Sequence, residues 1–336
     1  MTRILLAILF FITSLPVHAA CDGPSEFDAL PSERRAELEA RAANAPFHEG
    51  ILWQAKKNGH TSYIVGTMHI PDPRHSIVMD RLTSELDAPE QLFMELSHAD
   101  QQAFQHHLTA NPALTLITDG PSLIDRLGDE NWAKLQPHLS ALGLPGFVAA
   151  NYQPWFLGMT LSIPPCAMTE LREGKPGLDR LIELWSTEAN APVQSLDNTK
   201  SLLDLLASDP LHEQVSDFKW SLSLGLPIAG VDSNATLTAL YFQEKIQLFW
   251  EYTQDKAQDY ITTPEDKARL DAITAELQAE LINARNLAWV DTLAPELAAA
   301  PAVVAVGALH LPGDDGVLNL LSLRGFALTR VPLVQQ

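Results

Sequence analysis

The four residues Gly66-Thr67-Met68-His69 end an apolar run, Tyr63-Ile64-Val65, near the start of the chain. A second apolar run, Val303-Val304-Ala305-Val306, ends in the same way at Gly307-Ala308-Leu309-His310. Short β-branched runs that stop at a glycine predict buried strands that end in turns. Because ligands bind at strand ends in α/β sheets, the repeated pattern predicts that the two histidines share one site, although they lie far apart in the sequence.

Composition limits the class of protein. The chain has 336 residues, of which 46% are hydrophobic, so it is long enough to bury a core in one large domain or two smaller ones. Its formal net charge is -20. An acidic surface argues against nucleic-acid binding and against electrostatic docking to an anionic membrane, because both depend on Lys and Arg.

The first residues predict a leader that is removed on export. Arg3 precedes an apolar run over residues 4–15, which is too short to span a membrane, and Val17-His18-Ala19 offers small residues for signal peptidase. We therefore expect a signal peptide over residues 1–19 and a periplasmic or secreted protein. A lipoprotein anchored through Cys21 is less favoured, because His18 stands where a lipobox has an aliphatic residue.

The chain has two cysteines, Cys21 and Cys166. An even pair in an exported protein predicts one disulfide, which here would tie the mature N-terminus to the middle of the chain. The alternative is two free thiols. Neither cysteine has a neighbouring base in the sequence, so nucleophilic cysteine catalysis has no support.

The distribution of apolar runs predicts an α/β fold. Asn58-Gly59 between two alternating runs indicates a β-hairpin, and short apolar strands follow over residues 91–96, 191–196, 302–306 and 326–331. Helical patterns fill most of the remainder, including two long ones over residues 237–260 and 264–293. We expect a mixed central sheet built from strand–helix–strand segments at both ends of the chain. Residues 20–336 would form a single domain with a large helical insertion over about residues 100–295.

A carboxylate interrupts one of the predicted strands. Glu95 follows Leu92-Phe93-Met94, and a buried charge is costly unless it is paired or binds a metal. Together with His69 and His310 it would make a suitable ligand set for a divalent ion that keeps open positions for water and substrate. The alternative is that Glu95 is solvated, or forms an ion pair with an arginine such as Arg285 or Arg74.

A polar pair lies in the second long helical pattern. Arg285-Asn286 precedes Trp289. These residues either point at the site, towards substrate or the ligands, or form an ordinary surface pair.

Taken together, these motifs resemble the TraB/PrgY/GumN family. The motifs are the two Gly-x-x-His segments, Leu52-Trp53, Glu95 and Arg285-Asn286, and the resemblance covers about residues 48–333. The family is related to the Tiki metalloproteases and, more distantly, to ChaN-like and erythromycin-esterase-like folds.

The resemblance implies a divalent-metal site. In the Tiki branch two histidines and a glutamate are the catalytic residues of a manganese- or cobalt-dependent protease, and those roles carry over onto His69, Glu95 and His310. The ion would be Mn, Co or Zn. Gly66 and Gly307 would be structural turns.

Two further positions are compared with the family pattern. Arg285 and Asn286 match a recurring Arg-Asn pair and would contact substrate or support the ligands. The sequence departs from the family at Ser195-Leu196-Asp197, where Leu-Glu-Thr is expected. The role of Asp197 is therefore open.

We expect an exported metal-dependent hydrolase, a protease or peptidase that acts on a peptide or a small molecule. Glu95 would be either the third metal ligand or the general base. The alternative is a non-catalytic periplasmic binding protein that sequesters a peptide, a metal or haem. Neither reading requires a nucleic-acid partner or a transmembrane span after the signal is cleaved.

Overall fold

The structure is a computed structural model, and it describes residues 21, 23–225 and 233–333. The predicted signal peptide, residues 1–19, lies outside the described residues. Six strands form one sheet: β1 (Leu52–Lys57), β2 (His60–Thr67), β3 (Leu92–Met94), β4 (Val193–Ser195), β5 (Val303–Gly307) and β6 (Ala327–Arg330).

Helices precede, separate and flank these strands. In chain order they are α1 (Glu26–Ala29), α2 (Ser32–Ala43), α3 (His75–Glu85), α4 (His98–Ala110), α5 (Leu123–Leu127), α6 (Asp129–Ala141), α7 (Gly146–Ala149), α8 (Pro154–Leu161), α9 (Met168–Arg172), α10 (Leu178–Glu188), α11 (Thr199–Leu206), α12 (Leu211–Leu224), α13 (Ser233–Phe242), α14 (Ile246–Gln258), α15 (Pro264–Leu277), α16 (Arg285–Ala299) and α17 (Val317–Leu323). A π-helical segment, Gln278–Ala284, joins α15 to α16, and a 3₁₀ turn, Ala308–His310, follows β5.

The sheet has the order β4-β3-β5-β2-β1-β6. The four strands β4, β3, β5 and β2 run parallel to one another, whereas β1 is antiparallel to both β2 and β6. The mixed sheet that the sequence predicts is thus confirmed, with strands from both ends of the chain. β5 lies between β2 and β3, so the C-terminal part of the chain completes the centre of a sheet that the N-terminal part begins.

The hairpin β1–β2 also follows the prediction. Its two-residue turn has positive φ at both Asn58 (53°) and Gly59 (85°). These angles match the turn that best fits the twist of two antiparallel strands. The hairpin fixes the register that carries β2 to its end at Thr67.

Both faces of the sheet are covered by helices. On one face, Ile64 and Val304 pack against Trp289 of α16 and Leu321 of α17. On the other face, Val65, Val303 and Ala305 belong to a second core with residues of α3, α10 and α13. Alternate side chains of β2 and β5 therefore pack into two separate cores, as expected for buried parallel strands. A third core lies among α5, α6, α8 and α12.

Two long helices that the sequence predicts are each interrupted. The pattern over residues 237–260 is split between α13 and α14, because Glu244 between them adopts a positive φ of 62°. The pattern over residues 264–293 is split by the π-helical segment Gln278–Ala284. The prediction of one continuous helix was wrong over residues 237–260. From residue 264 to 299 the chain stays helical, and only the helix type changes, which hydrophobic period alone does not reveal.

The predicted disulfide is confirmed. Cys21 and Cys166 are bonded, and 145 residues separate them in the sequence. The bond ties the start of the described chain to the 3₁₀ turn Pro165–Ala167. A structural disulfide is typical of an oxidising compartment. Across the described ranges, no helix combines the length and the apolar character that a membrane crossing requires.

Candidate functional site

Four parallel strands end at the same edge of the sheet, and a chemically useful side chain follows each of them. His69 comes after β2, Glu95 after β3, Asp197 after β4 and His310 after β5. Because parallel strands share the direction of their carboxyl ends, these side chains must lie on one side of the fold. Ligand sites of open α/β sheets occupy this edge.

A cleft of about 220 Å³ opens at this edge. Its polar lining consists of Thr67, His69, Glu95, Gln101, Asp179, Asp197 and Arg285. Short apolar stretches of β3, β5 and α11 complete the walls. The volume lies below the range of about 300–1,000 Å³ typical of sites that enclose a drug-sized ligand. The cleft can therefore enclose a single functional group, while the rest of a larger molecule stays outside.

The guanidinium of Arg285 lies at the centre of the buried part of the site. Its Nη2 donates to Glu95 Oε2 at 2.6 Å and to Asp197 Oδ2 at 2.6 Å, and its Nε donates to Asp197 Oδ1 at 3.3 Å. The indole Nε1 of Trp289 also donates to Asp197 Oδ1, at 2.8 Å. Such paired, charge-assisted hydrogen bonds hold all the partners in fixed orientations.

The helix around Arg285 explains how it reaches this position. The π-helical segment ends at Ala284, and Arg285 begins α16. Arg285 Nη1 donates back to the carbonyl oxygen of Leu281 at 3.0 Å, and its guanidinium carbon lies 4.6 Å from the centroid of the Trp289 ring. A π-helical turn changes the direction in which the side chains after it point from the helix axis, and such turns are frequent at functional sites.

His310 is buried, with 4% of its surface exposed, and its tautomer is set by Asn286. Asn286 Nδ2 donates to the carbonyl oxygens of His310 (3.3 Å) and Asp315 (2.9 Å), so the amide oxygen must face the imidazole. His310 Nδ1 therefore carries the proton that it donates to Asn286 Oδ1 at 2.6 Å. The other nitrogen, Nε2, accepts from Arg285 Nη1 at 3.3 Å.

Burial sets the charge state of this imidazole. It lowers the pKa of His310 to about 4, an effect that the nearby Arg285 reinforces and the Glu95 carboxylate opposes. The ring also leans on Trp289, with 4.5 Å between the two ring centroids. His310 is therefore neutral at physiological pH.

Glu95 is ionised because the groups around it outweigh the effect of its burial. Burial alone would raise its pKa, but the electrostatic interactions with His310, Arg285 and His69 and the backbone N–H of Gly307 together lower it to about 2. The Gly307 N–H donates to Glu95 Oε1 at 2.5 Å. The predicted ion pair with Arg285 is the alternative that the structure bears out, whereas Arg74 pairs with Asp72.

His69 stands apart from this network, at the mouth of the cleft. Its side chain is 67% exposed, and its Nδ1 lies 3.2 Å from Asp179 Oδ1. Contact with this carboxylate raises the pKa of His69 to about 9. The two Gly-x-x-His histidines thus have opposite states: one is accessible and charged, the other buried and neutral.

Helix α10 supplies the partner of His69. Gly177, at the N-terminal end of this helix, lies so close to the His69 backbone that a Cβ there would be 2.3 Å from the His69 carbonyl oxygen. Leu178 N donates to the carbonyl oxygen of Met68 at 3.0 Å. The close approach places Asp179 beside the imidazole, and only glycine at position 177 permits it.

The site residues of the sequence analysis are thus placed at one edge, in two groups. Glu95, His310, Arg285 and Asn286 form one connected network, in which His310 Nε2 is 4.0 Å from Glu95 Oε1. His69 lines the same cleft but pairs with Asp179. The role of Asp197, left open by the sequence, is to hold Arg285.

These positions do not fit the predicted metal ion. Within the described ranges, no group of three or more His, Cys, Asp and Glu side chains is arranged to hold one. The guanidinium of Arg285 already occupies the space between Glu95, Asp197 and His310. Metal binding at this edge of the sheet stays a prediction.

The two glycines of the repeated motif allow close packing. A Cβ on Gly307 would be 3.0 Å from Glu95 Oε1, and one on Gly66 would be 2.8 Å from the Leu311 side chain. The prediction that both form turns needs correction, because Gly66 lies within β2, paired with Val306. The strand continues one residue beyond it, since Thr67 still pairs with Gly307.

Sequence reasoning missed Asp179 and Thr67. Asp179 lies in an amphipathic helix, where an acidic residue near the N-terminus is ordinary, and only the fold brings it to His69. Thr67 is buried at the end of β2, and its hydroxyl has no hydrogen-bond partner among the described residues. The signal for Thr67 was its position between Gly66 and His69, next to the strand end.

The fold and the site define a class: an α/β protein with an imidazole- and carboxylate-lined cleft at the carboxyl edge of a mixed sheet. Residues 51–330 match the TraB/PrgY/gumN family. The chain belongs to this family, which confirms the resemblance seen in its motifs.

Individual relatives are distant. The chain is 22% identical to the uncharacterized protein YbaP of Shigella flexneri over 278 residues, which is 80% of this chain and 96% of that one. The same figures hold for YbaP of Escherichia coli strain K12. An uncharacterized protein of Treponema pallidum is 22% identical over 67% of this chain and 63% of its own length. No solved structure matches the chain.

Proposed function

We propose that the protein is an exported hydrolase that cleaves amide bonds, in peptides or in small molecules, within the cleft at the sheet edge. One observation carries the proposal: an accessible imidazole, His69, is held by Asp179 in the same cleft as the ionised Glu95. Imidazole and carboxylate groups within one cleft are the usual means of moving protons in hydrolysis.

The charge states suggest a division of roles. Amide hydrolysis needs a proton for the leaving nitrogen and a group that orients the attacking water. His69, with its pKa raised to about 9, is protonated at neutral pH and is suited to donate that proton. Glu95 stays ionised, and its carboxylate has lone pairs beyond those that Arg285 and Gly307 use, so it is suited to orient the water. The proton that the water loses on bonding to the carbonyl carbon restores the one that His69 gives to the departing nitrogen.

The size of the cleft supports a polymeric or extended substrate. About 220 Å³ is enough for a scissile amide and its neighbouring atoms, and the remainder of the substrate would lie along the surface. An extended peptide meets this requirement. The proposed location is the periplasm or the outside of the cell, since the disulfide fits an oxidising compartment.

The test is a peptide-library cleavage assay on wild type and on Glu95→Gln, with Mn²⁺, Co²⁺ or Zn²⁺ added or with chelator. We expect cleavage by wild type and a loss of about 100-fold or more in Glu95→Gln, because the amide cannot replace the charge. Glu49→Gln is the matched control, since Glu49 is an ion-pair partner of Arg330 outside the cleft.

Two results would contradict the proposal. One is equal activity of wild type and Glu95→Gln, which would remove this carboxylate from the chemistry. The other is a peptide that binds in the cleft and is recovered intact under every condition. That result would favour the alternative, a binding protein that sequesters its ligand.

A further inference from the structure

We propose that the guanidinium of Arg285 supplies the positive charge at the centre of this site and that the protein functions without a divalent ion bound there. The inference rests on the proposed function in one respect, because it concerns the charge of the same cleft. Its central observation is independent of any reaction: the guanidinium lies where the predicted ligands converge.

The hydrogen bonds of Arg285 account for its whole donor capacity. A guanidinium has five N–H groups. Here Nε donates to Asp197, Nη1 to the Leu281 carbonyl and to His310 Nε2, and Nη2 to Glu95 and Asp197. No N–H is left over for a substrate, so Arg285 is a positioning residue that acts through the groups it holds.

Each acceptor that an ion would use already accepts a hydrogen bond. Glu95 accepts from Arg285 on one oxygen and from Gly307 on the other. The lone pair of His310 Nε2 faces Arg285 Nη1, because Asn286 fixes the proton on Nδ1. A divalent ion binds such ligands at about 2.0–2.2 Å, which would bring it against the guanidinium.

Charge leads to the same conclusion. An arginine is positively charged at every pH that a folded protein tolerates. A second cation within a few ångströms would be repelled, more strongly in a buried site than in water. Arg285 cannot swing aside cheaply either, since its side chain is 18% exposed and stacks on Trp289.

The remaining predicted ligand is engaged elsewhere. His69 Nδ1 faces Asp179 Oδ1, and this carboxylate oxygen is buried with no hydrogen-bond partner of standard geometry among the described residues. The contact occupies one of the two ring nitrogens of His69 and ties the ring to α10. The site is thus arranged as two groups, Arg285 with Glu95 and Asp197, and His69 with Asp179.

The experiment measures metal binding directly, on the full chain with its disulfide formed. Chelator-treated wild type is titrated with Mn²⁺, Co²⁺ and Zn²⁺ by calorimetry, and its metal content as purified is determined. We expect no stoichiometric binding. In Arg285→Met, which frees the lone pairs of Glu95, Asp197 and His310, we expect a gain of one bound ion.

Arg330→Met is the matched control. It also removes a partly buried arginine from a pair of carboxylates, Glu49 and Glu244, but no imidazole is part of that cluster. We expect it to gain no ion.

Stoichiometric binding by wild type that is lost in His310→Ala overturns the inference. So does an Arg285→Met protein that folds and binds nothing. If Arg285→Met does not fold, Arg285→Lys is used in its place. Lysine keeps the positive charge but lacks the planar guanidinium that donates to several partners at once. We expect Arg285→Lys to stay free of metal and to lower kcat with little change in KM, whereas a purely structural role would lower only its thermal stability.

These outcomes separate the inference from the proposed function. Metal binding is measured without a substrate, so absent cleavage leaves the result intact. Conversely, a chain that binds an ion and cleaves peptides would contradict the role of Arg285 and preserve the hydrolase.

Discussion

At the scale of single residues, the same Gly-x-x-His spacing places two imidazoles in different charge states. His310 follows β5 into a pocket closed by Asn286 and Trp289, where burial keeps it neutral. His69 follows β2 to the surface of the cleft, where Asp179 keeps it charged. The difference comes from neighbours that are distant in sequence, so the motif alone predicts the position of each histidine and not its state.

Asn286 is expected to be the most sensitive uncharged residue of the site. It is fully buried, and Asn286→Ala would leave His310 Nδ1 and two carbonyl oxygens without partners. We expect the free energy of unfolding to fall by about 3 kcal/mol, measured by urea denaturation. Asn283→Ala, on the same stretch of helix, should change it by less than about 0.5 kcal/mol. Equal effects of the two substitutions would contradict the network.

Thr67 is expected to contact the substrate. Thr67 lines the cleft, and its buried hydroxyl, which has no hydrogen-bond partner among the described residues, is available to a substrate group that enters there. Thr67→Val keeps the shape of the side chain and removes the hydroxyl, so we expect kcat/KM to fall about tenfold with an unchanged melting temperature. Thr67→Ser should retain the activity. A Thr67→Val enzyme with wild-type kcat/KM would show that this hydroxyl has no part in binding.

At the scale of elements, the strand ends are what the sequence predicts best. Strands β2 and β5 could be recognised because each is a β-branched run that stops at a glycine, and the Asn58-Gly59 turn fixes the hairpin. The order of the strands could not be predicted, because β5 enters between β2 and β3 from the far end of the chain.

The helical part was less predictable, for a physical reason. Periodicity places an apolar face, but it does not reveal the π-helical segment before Arg285 or the approach of α10 to His69. Both features depend on contacts between distant segments. The predicted limits of the domain and of its helical insertion stay predictions.

The disulfide is expected to contribute substantially to stability, because it closes a long loop. Its cysteines are 145 residues apart, and a cross-link of such length is expected to stabilise the fold by about 4 kcal/mol, mainly by restricting the unfolded chain. We therefore expect reductant to lower the melting temperature of wild type. The double variant Cys21→Ser/Cys166→Ser should melt at that lower temperature with or without reductant. An unchanged wild-type midpoint in reductant would contradict this account.

At the scale of the whole molecule, stability should depend on pH through buried histidines. Burial lowers the pKa of His75 and of His310 to about 4, from an ordinary value of 6.5. Below pH 6.5 the unfolded chain therefore takes up protons that the folded chain does not, and stability falls as the pH falls towards 4.

The expected loss is roughly 2 kcal/mol per histidine on going from about pH 7 to about pH 5, measured as the free energy of unfolding. His75→Leu removes one of the two groups and should reduce this loss by about half. His98→Leu, which replaces a partly exposed imidazole, is the control and should keep the full loss. A stability that rises on acidification across this interval would contradict the neutral state of the buried rings.

The architecture of the whole molecule explains why the site needs residues from both ends of the chain. β2 and β3 come from the N-terminal part and β5 from the C-terminal part. His69 and Glu95 therefore share an edge with His310 only once β5 has joined the sheet. The segments between them contribute Asp179 and Arg285 from helices and Asp197 from the loop after β4. Each of the three long stretches of sequence thus supplies part of one cleft.

The most direct test of this account is the value of kcat/KM for peptide cleavage in His69→Asn, with His98→Asn as the control. Asparagine keeps a polar side chain of similar reach and cannot transfer the proton, so we predict a loss of at least about 100-fold. His98 lies outside the cleft and contacts Gln102, and its replacement should leave kcat/KM unchanged. A His69→Asn protein as active as wild type would contradict the assignment of this cleft as a hydrolytic site.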